Sequence, residues 1–277
     1  MEDAANYRAP DLILDLLATN GRALTTAQLI RAGALMGIQG NAVKVALHRL
    51  VACGKVVVQA RARYRANLKD NVLLAHLVGW YQREEQLRPW AGEWLFVHDD
   101  GVPRADKTAW RRHELAMRLG GYARLSGSLW LRPDNRLESF AQGRLGLLAL
   151  GMHVKALALH VDQWQPPSGL ALAELWQSRA RDRRYAALLK SIEASREAIL
   201  SGLPLAEAAR QTLLLGRSII SELAMDPLLP PELHPPDMHA ELYARTRAYQ
   251  LMSIRIWRRW LGSAQGASTR AHRGPAR

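Results

Sequence analysis

Hydrophobic residues recur at helical spacing near the start of the chain and then alternate with polar ones. Residues 11–19, 27–36 and 41–52 carry apolar positions three or four apart, which predicts three helices. Residues 55–66 alternate between apolar and polar types, which predicts a β-hairpin. Because the link between the second and third helices is tight, the pattern predicts a winged helix-turn-helix domain at residues 1–69.

The remaining pattern divides the chain into further segments. Residues 70–89 are predicted to form a linking helix. Over residues 90–163 the predicted order is strand, helix, strand, strand, helix, strand, which is that of a ferredoxin-like βαββαβ domain. Residues 164–262 carry apolar stripes separated by proline-rich breaks and predict an all-helical domain, and residues 263–277 predict a disordered basic tail. The predicted fold class is therefore α+β with several domains.

The third helix separates its residues by angle around the helix axis. Its predicted inner face consists of Ala42, Val43, Ala46, Leu47 and Leu50. Its predicted outer face consists of Asn41, Lys44, Val45, His48 and Ala52, with Arg49 on the flank. This outer face carries hydrogen-bond donors and small residues without an acid, and such a face suits the major groove of DNA. An ordinary amphipathic helix would show the same periodicity. The flanking sequence must therefore decide between an ordinary surface helix and a helix that binds DNA.

The hairpin and the charge distribution favour DNA. Alternation places Arg61, Arg63 and Arg65 on one side of a strand, where they would contact phosphates or the minor groove. The chain has 38 Lys and Arg against 25 Asp and Glu, a net charge of +13. From Leu16 through Lys69 there is no acidic residue, and a surface of one sign attracts a polyanion.

Other kinds of site have weaker signals. Asp99 and Asp100 follow a predicted strand and could hold a divalent cation in a metal-dependent nuclease, but Asp-Asp-Gly is also ordinary turn chemistry. The spacing of His234, Asp237 and His239 matches no established metal pattern. No phosphate-binding loop or nucleophile motif occurs, so we expect neither an enzyme nor a cofactor.

Targeting signals and cysteines point to one compartment. No apolar run approaches the ~20 residues that span a bilayer. The first residues are polar and acidic, unlike a secretory signal, and the single cysteine excludes a disulfide scaffold. We expect a cytoplasmic protein that does not bind membranes.

Five segments together resemble one family, the phenylacetic acid degradation repressors of the PaaX type. These segments are GIQGNAVKVALHRLVACG, WAGEWLFV, LGGYARLSGSLWLRP, LAELWQSRARDRRYAALL and DPLLPPELHPPDM. They occur in the family's order and cover about residues 10–262. Each segment alone would be weak evidence, and it is their order that makes the resemblance specific.

The resemblance implies a homodimeric repressor that binds a double-stranded operator in front of catabolic genes. It also implies release by an aryl-acetyl-CoA thioester. Basic residues would have to bind the phosphates of that effector, and the candidates are Arg111, Arg112, Arg181, Arg183 and Arg184. The metal-dependent nuclease is the alternative, because it would also explain the basic charge.

The chain departs from the family pattern at some of these positions. Asn41 stands where the family has Arg, and His48 stands where it has Ser, which changes the expected operator. In the last segment His234 replaces a Leu and Met238 replaces a Trp, which changes the expected effector.

Overall fold

A computed structural model describes residues 7–271 of the chain. This part contains nine α-helices and two small antiparallel sheets, which confirms the predicted α+β class. It divides into two compact units. The described part of the first unit comprises residues 7–78, 190–219 and 245–271, and the second comprises Gly79–Leu189 and Ile220–Ala244.

The first unit begins with three helices and a three-stranded sheet. Their bounds are α1 Ala9–Asn20, β1 Leu24–Thr25, α2 Thr26–Leu35, α3 Gly40–Ala52, β2 Val56–Ala60 and β3 Arg63–Ala66. The sheet order is β1-β3-β2, and β3 pairs antiparallel with both neighbours. The two-residue strand β1 was not predicted, because so short a segment shows no alternation.

Local signals explain where the first helices begin and end. Pro10 lies in the first turn of α1, and Gly21 ends that helix in the left-handed region with a φ of 61°. The Thr25 hydroxyl accepts a hydrogen bond from the Gln28 backbone N–H, while the Gln28 side chain accepts one from the Thr25 N–H. This capping box starts α2.

The chain between the units is less helical than predicted. Helix α4 spans only Val72–Val78, and two short 3-10 turns follow at Gly79–Gln82 and Glu84–Gln86, in place of a linking helix over residues 70–89. Trp80 is buried with its ring 5.0 Å from the Tyr243 ring, and Arg83 donates to backbone carbonyls. These tertiary contacts outweigh the helical propensity of the segment.

The second unit contains a four-stranded antiparallel sheet and two helices. Their bounds are β4 Trp94–His98, α5 Lys107–Leu119, β5 Ala123–Ser126, β6 Leu129–Pro133, α6 Phe140–Leu150 and β7 Leu157–Val161. The sheet order is β5-β6-β4-β7. The elements follow each other along the chain as strand, helix, strand, strand, helix, strand.

Both faces of the sheet are covered at its central strands, β4 and β6. On one face Val97 and Trp130 pack with Met117 of α5 and Leu147 of α6. On the other face Trp94, Phe96 and Leu131 pack with Trp176, which lies in a 3-10 turn at Leu172–Trp176. The segment that packs on the second face is distant in sequence from the strands, so the alternation within the strands does not predict this contact.

The C-terminal helices are α7 Ser178–Leu200, α8 Leu205–Ala224 and α9 Asp237–Ala271. Each has residues in both compact units, so the units differ from the predicted division at residues 164–262. Helix α9 also continues through Ala271, into the range 263–277 that was predicted to be disordered. Residues 272–277 of that predicted tail lie outside the described residues.

The core of the first unit draws on both ends of the chain. Leu12 of α1 and Leu47 of α3 belong to one hydrophobic cluster with Leu213 of α8 and Trp257 of α9. Trp257 is 1% exposed. The N-terminal elements therefore do not complete their core without C-terminal residues.

Within residues 7–271, no helix combines the length and the hydrophobicity that crossing a bilayer requires.

Candidate nucleic-acid interface

Helix α3 has one buried face and one exposed polar face. Val43, Ala46, Leu47 and Leu50 are buried. The candidate contacts on this helix are all exposed, namely Asn41, Lys44, Val45, His48 and Arg49. Ala42 is exposed as well, although the angular pattern placed it on the inner face. The outer face is therefore open to a partner over its whole length.

The position of α3 depends on close packing against α2. A Cβ atom at Gly33 would lie 2.6 Å from Cγ2 of Val43 and 3.4 Å from the Ile38 carbonyl oxygen. Val43 is fully buried, and a β-branched side chain in a helix has one strongly preferred rotamer. The two helices can approach this closely only because residue 33 has no side chain.

We expect Gly33→Ala to destabilise the protein by about 1–3 kcal/mol, because the added methyl group overpacks the α2–α3 contact. It should also displace α3, which would weaken DNA binding if the outer face of this helix is the interface. Thermal unfolding and duplex titration would measure both effects. Gly216→Ala in α8 is the matched control, since nothing lies within 4 Å of the added Cβ. Equal behaviour of the two variants would contradict the role of Gly33.

The hairpin places its arginines differently from the prediction. Arg63 and Arg65 are exposed on β3, while Tyr64 points to the other side and pairs with Leu24. Arg61 lies in the turn rather than on a strand, next to Ala62 with a φ of 57°. The hairpin turns at Arg61 and Ala62, and because neither is a typical turn residue, the position of the turn could not be predicted from the sequence.

The exposed basic residues of this region are not neutralised by nearby acids. Within the described part of the chain, Lys44, Arg49, Arg61 and Arg63 form no ion pair. Arg65 makes a weak contact, with its Nη2 3.4 Å from the Gly21 carbonyl oxygen. The positive potential of the surface is therefore available to a polyanion.

The five arginines proposed for an effector fall into different environments. Arg111 and Arg112 are exposed on α5, and Arg183 is exposed on α7. Arg184 is paired with Glu222 at 3.1 Å. Arg181 is buried and donates to the Trp176 carbonyl at 3.2 Å and the Ser178 hydroxyl at 3.3 Å. The burial of Arg181 removes it from the set of accessible phosphate ligands.

Arg181 instead belongs to a buried polar cluster around Asp226. The Asp226 carboxylate accepts hydrogen bonds from the Tyr185 hydroxyl and, at 2.6 Å, from the Leu228 backbone N–H. His239 lies between two carboxylates, with Nδ1 3.1 Å from Asp226 and Nε2 2.8 Å from Glu84. This cluster could not be predicted from the sequence, because its members lie far apart along the chain.

The charges in this cluster stabilise each other. Burial opposes the charge on His239, but hydrogen bonds and attraction to Asp226 and Glu84 outweigh it and raise the pKa of His239 to about 9. Despite burial, hydrogen bonding and attraction to His239 hold the pKa of Asp226 below its usual range. At neutral pH the cluster therefore contains an imidazolium and a carboxylate.

We expect the protein to lose about 2–3 kcal/mol of stability between pH 6 and pH 9.5. The folded pKa of His239 lies above its unfolded value, so its contribution is complete below about pH 6.5 and disappears as the pH rises through 9. Denaturant unfolding at several pH values would measure the loss. A His239→Gln variant should show a flatter profile, and an unchanged profile would contradict this origin.

The carboxylates proposed for a nuclease do not form an open pair. Asp99 is fully buried, and its oxygens accept from Trp130 Nε1 at 2.6 Å and Arg104 Nη2 at 3.0 Å. Nε2 of the buried His113 lies 3.4 Å from the same carboxylate. Asp100 is exposed. Both oxygens of Asp99 are occupied by nitrogen donors, so the geometry does not favour a divalent cation there.

Among the described residues, Glu93, His160 and Asp162 are the group whose side-chain atoms approach closely enough for a metal ion. Nη2 of Arg88 lies 3.0 Å from Glu93 and 3.1 Å from Asp134, which also faces His160. The guanidinium is therefore already paired with Glu93, one of the three residues of this group. His234 and His239 are paired separately, with Asp182 and with Asp226.

Comparison with known proteins adds evidence on the fold. No family model matches the chain, and no curated protein matches it. Its structure is similar to that of an uncharacterized protein, Rv0674 from Mycobacterium tuberculosis, with a TM-score of 0.61. The similarity covers 90% of this chain and 97% of the other at 19% sequence identity. At that identity the match concerns the fold, and it extends over nearly the whole of both chains.

Proposed function

We propose that the protein is a DNA-binding transcriptional regulator, and more narrowly a repressor. The observation that carries the proposal is the exposed, acid-free face of α3, which combines Lys44, Arg49 and Asn41 beside a tight turn. Such a face can donate to guanine and adenine edges in the major groove. The resemblance to the PaaX-type repressors supports the same conclusion.

The order of elements supports a winged helix-turn-helix in the first unit. The chain runs α1-β1-α2-α3-β2-β3, and the sheet order β1-β3-β2 is the one that winged-helix domains use. In this arrangement α3 enters the major groove, and α2 crosses the DNA backbone. In the second unit, the strand order β5-β6-β4-β7 is that of a ferredoxin-like domain.

The roles of the side chains follow from their positions. Lys44 and Arg49 would contact base edges or phosphates from α3, while Arg63 and Arg65 would contact the backbone from β3. Arg61, in the turn of the hairpin, would reach the backbone or the minor groove. His48 and Val45 complete the surface that faces the bases, where the valine can contact a thymine methyl group.

An edge strand supports the homodimer part of the proposal. Strand β7 lies at one edge of its sheet, with Leu157 56% exposed and Leu159 40% exposed. It contains no lysine or proline to discourage pairing. Antiparallel pairing with a second copy would bring exposed Lys155, just before the strand, near the partner's Asp162. The residues that flank the strand therefore carry opposite charges at its two ends, as antiparallel self-pairing would require.

The effector part of the proposal rests on the resemblance. An acyl-CoA thioester would bind near exposed Arg111, Arg112 and Arg183, without Arg181. A ligand shifts a conformational equilibrium only by its different affinity for the two states, so the thioester must bind the DNA-free state more tightly.

The decisive experiment measures binding of the protein to its own upstream region and to a shuffled duplex at ~0.15 M salt, where nonspecific attraction is reduced. We expect a preference for the upstream duplex that phenylacetyl-CoA or another acyl-CoA reverses. Equal binding to both duplexes would contradict autoregulation. Cleavage of the duplex with magnesium would favour the nuclease instead.

Substitutions separate base contacts from backbone contacts. We expect Lys44→Ala to weaken the specific duplex by about 5- to 150-fold, the range of one base contact, with a much smaller effect on the shuffled duplex. Arg63→Ala removes the same charge but should weaken both duplexes alike. A specificity ratio that does not change in Lys44→Ala would contradict the placement of α3 in the groove.

A further inference from the structure

The second half of α9 has an apolar inner face and an arginine-rich outer face. Trp257, Trp260 and Leu261 are buried in the core of the first unit. Arg255, Arg258 and Arg259 alternate with them along the helix and are exposed. The packing of the tryptophans therefore fixes which way these arginines face.

A specific contact holds this part of α9 to α2. Nη1 of Arg31 donates to the Trp260 carbonyl at 2.7 Å. The Arg31 guanidinium carbon lies 4.3 Å from the centroid of the Trp260 ring, which adds a cation–π contact. Arg31 belongs to the acid-free basic stretch at residues 16–69, but its guanidinium binds Trp260 of the same unit.

The sequence around this outer face of α9 is free of acidic residues. From Leu242 to Arg277 the sequence contains no acidic residue. Within the described residues, Arg255 and Arg259 form no ion pair. Other arginines of the same unit do, since Arg196 pairs with Glu193 and Arg210 pairs with Glu207, each at 3.2–3.3 Å.

We propose that Arg255 and Arg259 of α9 form a second DNA-binding surface that contacts the phosphate backbone. The inference rests on the proposed function, because α2 crosses the DNA backbone in the helix-turn-helix mode and α9 is held to α2 through Arg31. Arg255 and Arg259 lie four residues apart, so they share one helix face with a rise of about 6 Å. Guanidinium groups on one face suit a row of phosphates, which carry charge but no base information.

The test compares two double variants of the full chain that each remove two positive charges. R255Q/R259Q removes the unpaired arginines of α9. R196Q/R210Q is the matched control, since its arginines lie in the same unit but beside glutamates. Affinity for the upstream and the shuffled duplex is measured from 50 to 200 mM salt. All four side chains lie at the surface or partly so, and thermal unfolding checks that both variants fold.

We expect R255Q/R259Q to lower the slope of log affinity against log salt by about 1.8, or about 0.9 for each lost contact. Raising the salt from 50 to 200 mM reduces the affinity of both proteins, and the factor of this reduction should be about twelvefold smaller for R255Q/R259Q than for the unchanged protein. The control should keep the original slope. The ratio between the upstream and shuffled duplexes should not change, because phosphate contacts do not read sequence.

The outcomes separate this proposal from the proposed function. Equal slopes for the two double variants would overturn the α9 surface while leaving specific binding by α3 intact. A protein that binds both duplexes equally would contradict specific recognition, and the slope on the shuffled duplex would still decide the role of α9. A protein that binds no duplex would overturn both.

Discussion

Replacing Asp226 with alanine should lower the free energy of unfolding by about 3–5 kcal/mol, because it removes the buried carboxylate that Arg181 and His239 share, and Glu84 alone remains beside His239. Asp226 is 3% exposed and faces both Arg181 and the imidazolium of His239. The change also removes the acceptor for the Tyr185 hydroxyl and the Leu228 N–H. Each of these groups would be buried without an equivalent partner.

Equilibrium denaturation at pH 7 would measure this loss. Asp100→Ala is the matched control, since Asp100 is an exposed carboxylate in the same unit and its removal should cost less than about 0.5 kcal/mol. Asp226→Asn retains an oxygen acceptor but not the charge, so we expect an intermediate loss. A loss below about 1 kcal/mol for Asp226→Ala would show that the cluster does not depend on the carboxylate.

Replacing Trp257 with alanine should destabilise the first unit by about 3–5 kcal/mol, as large-to-small changes of buried aromatic residues do. Trp257 packs edge-on against Trp260, with ring centroids 5.4 Å apart, in the cluster that contains Leu12 and Leu47. The cavity would lie in the core that supports α3. Specific DNA binding should therefore be lost at a lower temperature than in the unchanged protein.

Thermal unfolding followed by circular dichroism, together with duplex binding across the same temperatures, would test this expectation. Leu251→Ala on the same helix is the control, because Leu251 is 56% exposed and its truncation leaves no cavity.

A chain limited to residues 1–78 should likewise fail to fold stably, since it lacks the C-terminal residues of the core. A stable, cooperative fold of that fragment would contradict the shared core.

The periodicity of apolar and polar residues predicted much of the fold, because it indicates which side of a helix or strand is buried. The periodicity of α3 correctly placed Val43, Ala46, Leu47 and Leu50 inside. The helices and strands of the middle segment follow each other in the predicted order. The exposure of Lys44 and its neighbours agrees with the angular pattern, while their role in DNA binding stays a prediction.

Partners that are distant in sequence explain most of what the pattern did not predict. The apolar stripe of α9 indicated a buried face, but it could not indicate that Trp257 packs with residues of α1 and α3. The basic character of Arg181 suggested a phosphate ligand, whereas its burial follows from Asp226 and from the carbonyl of Trp176. The Asp99 carboxylate likewise has partners that are distant or not apparent from the sequence pattern, since it accepts hydrogen bonds from Trp130 and Arg104.

The core shared by the two ends of the chain also affects how the protein is made. A ribosome adding about 5–20 residues per second reaches Leu261 about 10–40 s after Ala66, the last residue of the hairpin. Until then Leu12 and Leu47 lack the tryptophans that cover them. A nascent chain that has not yet reached Leu261 would therefore lack the buried residues that complete the core behind α3, and the proposed DNA-binding surface would have no stable support until they are made.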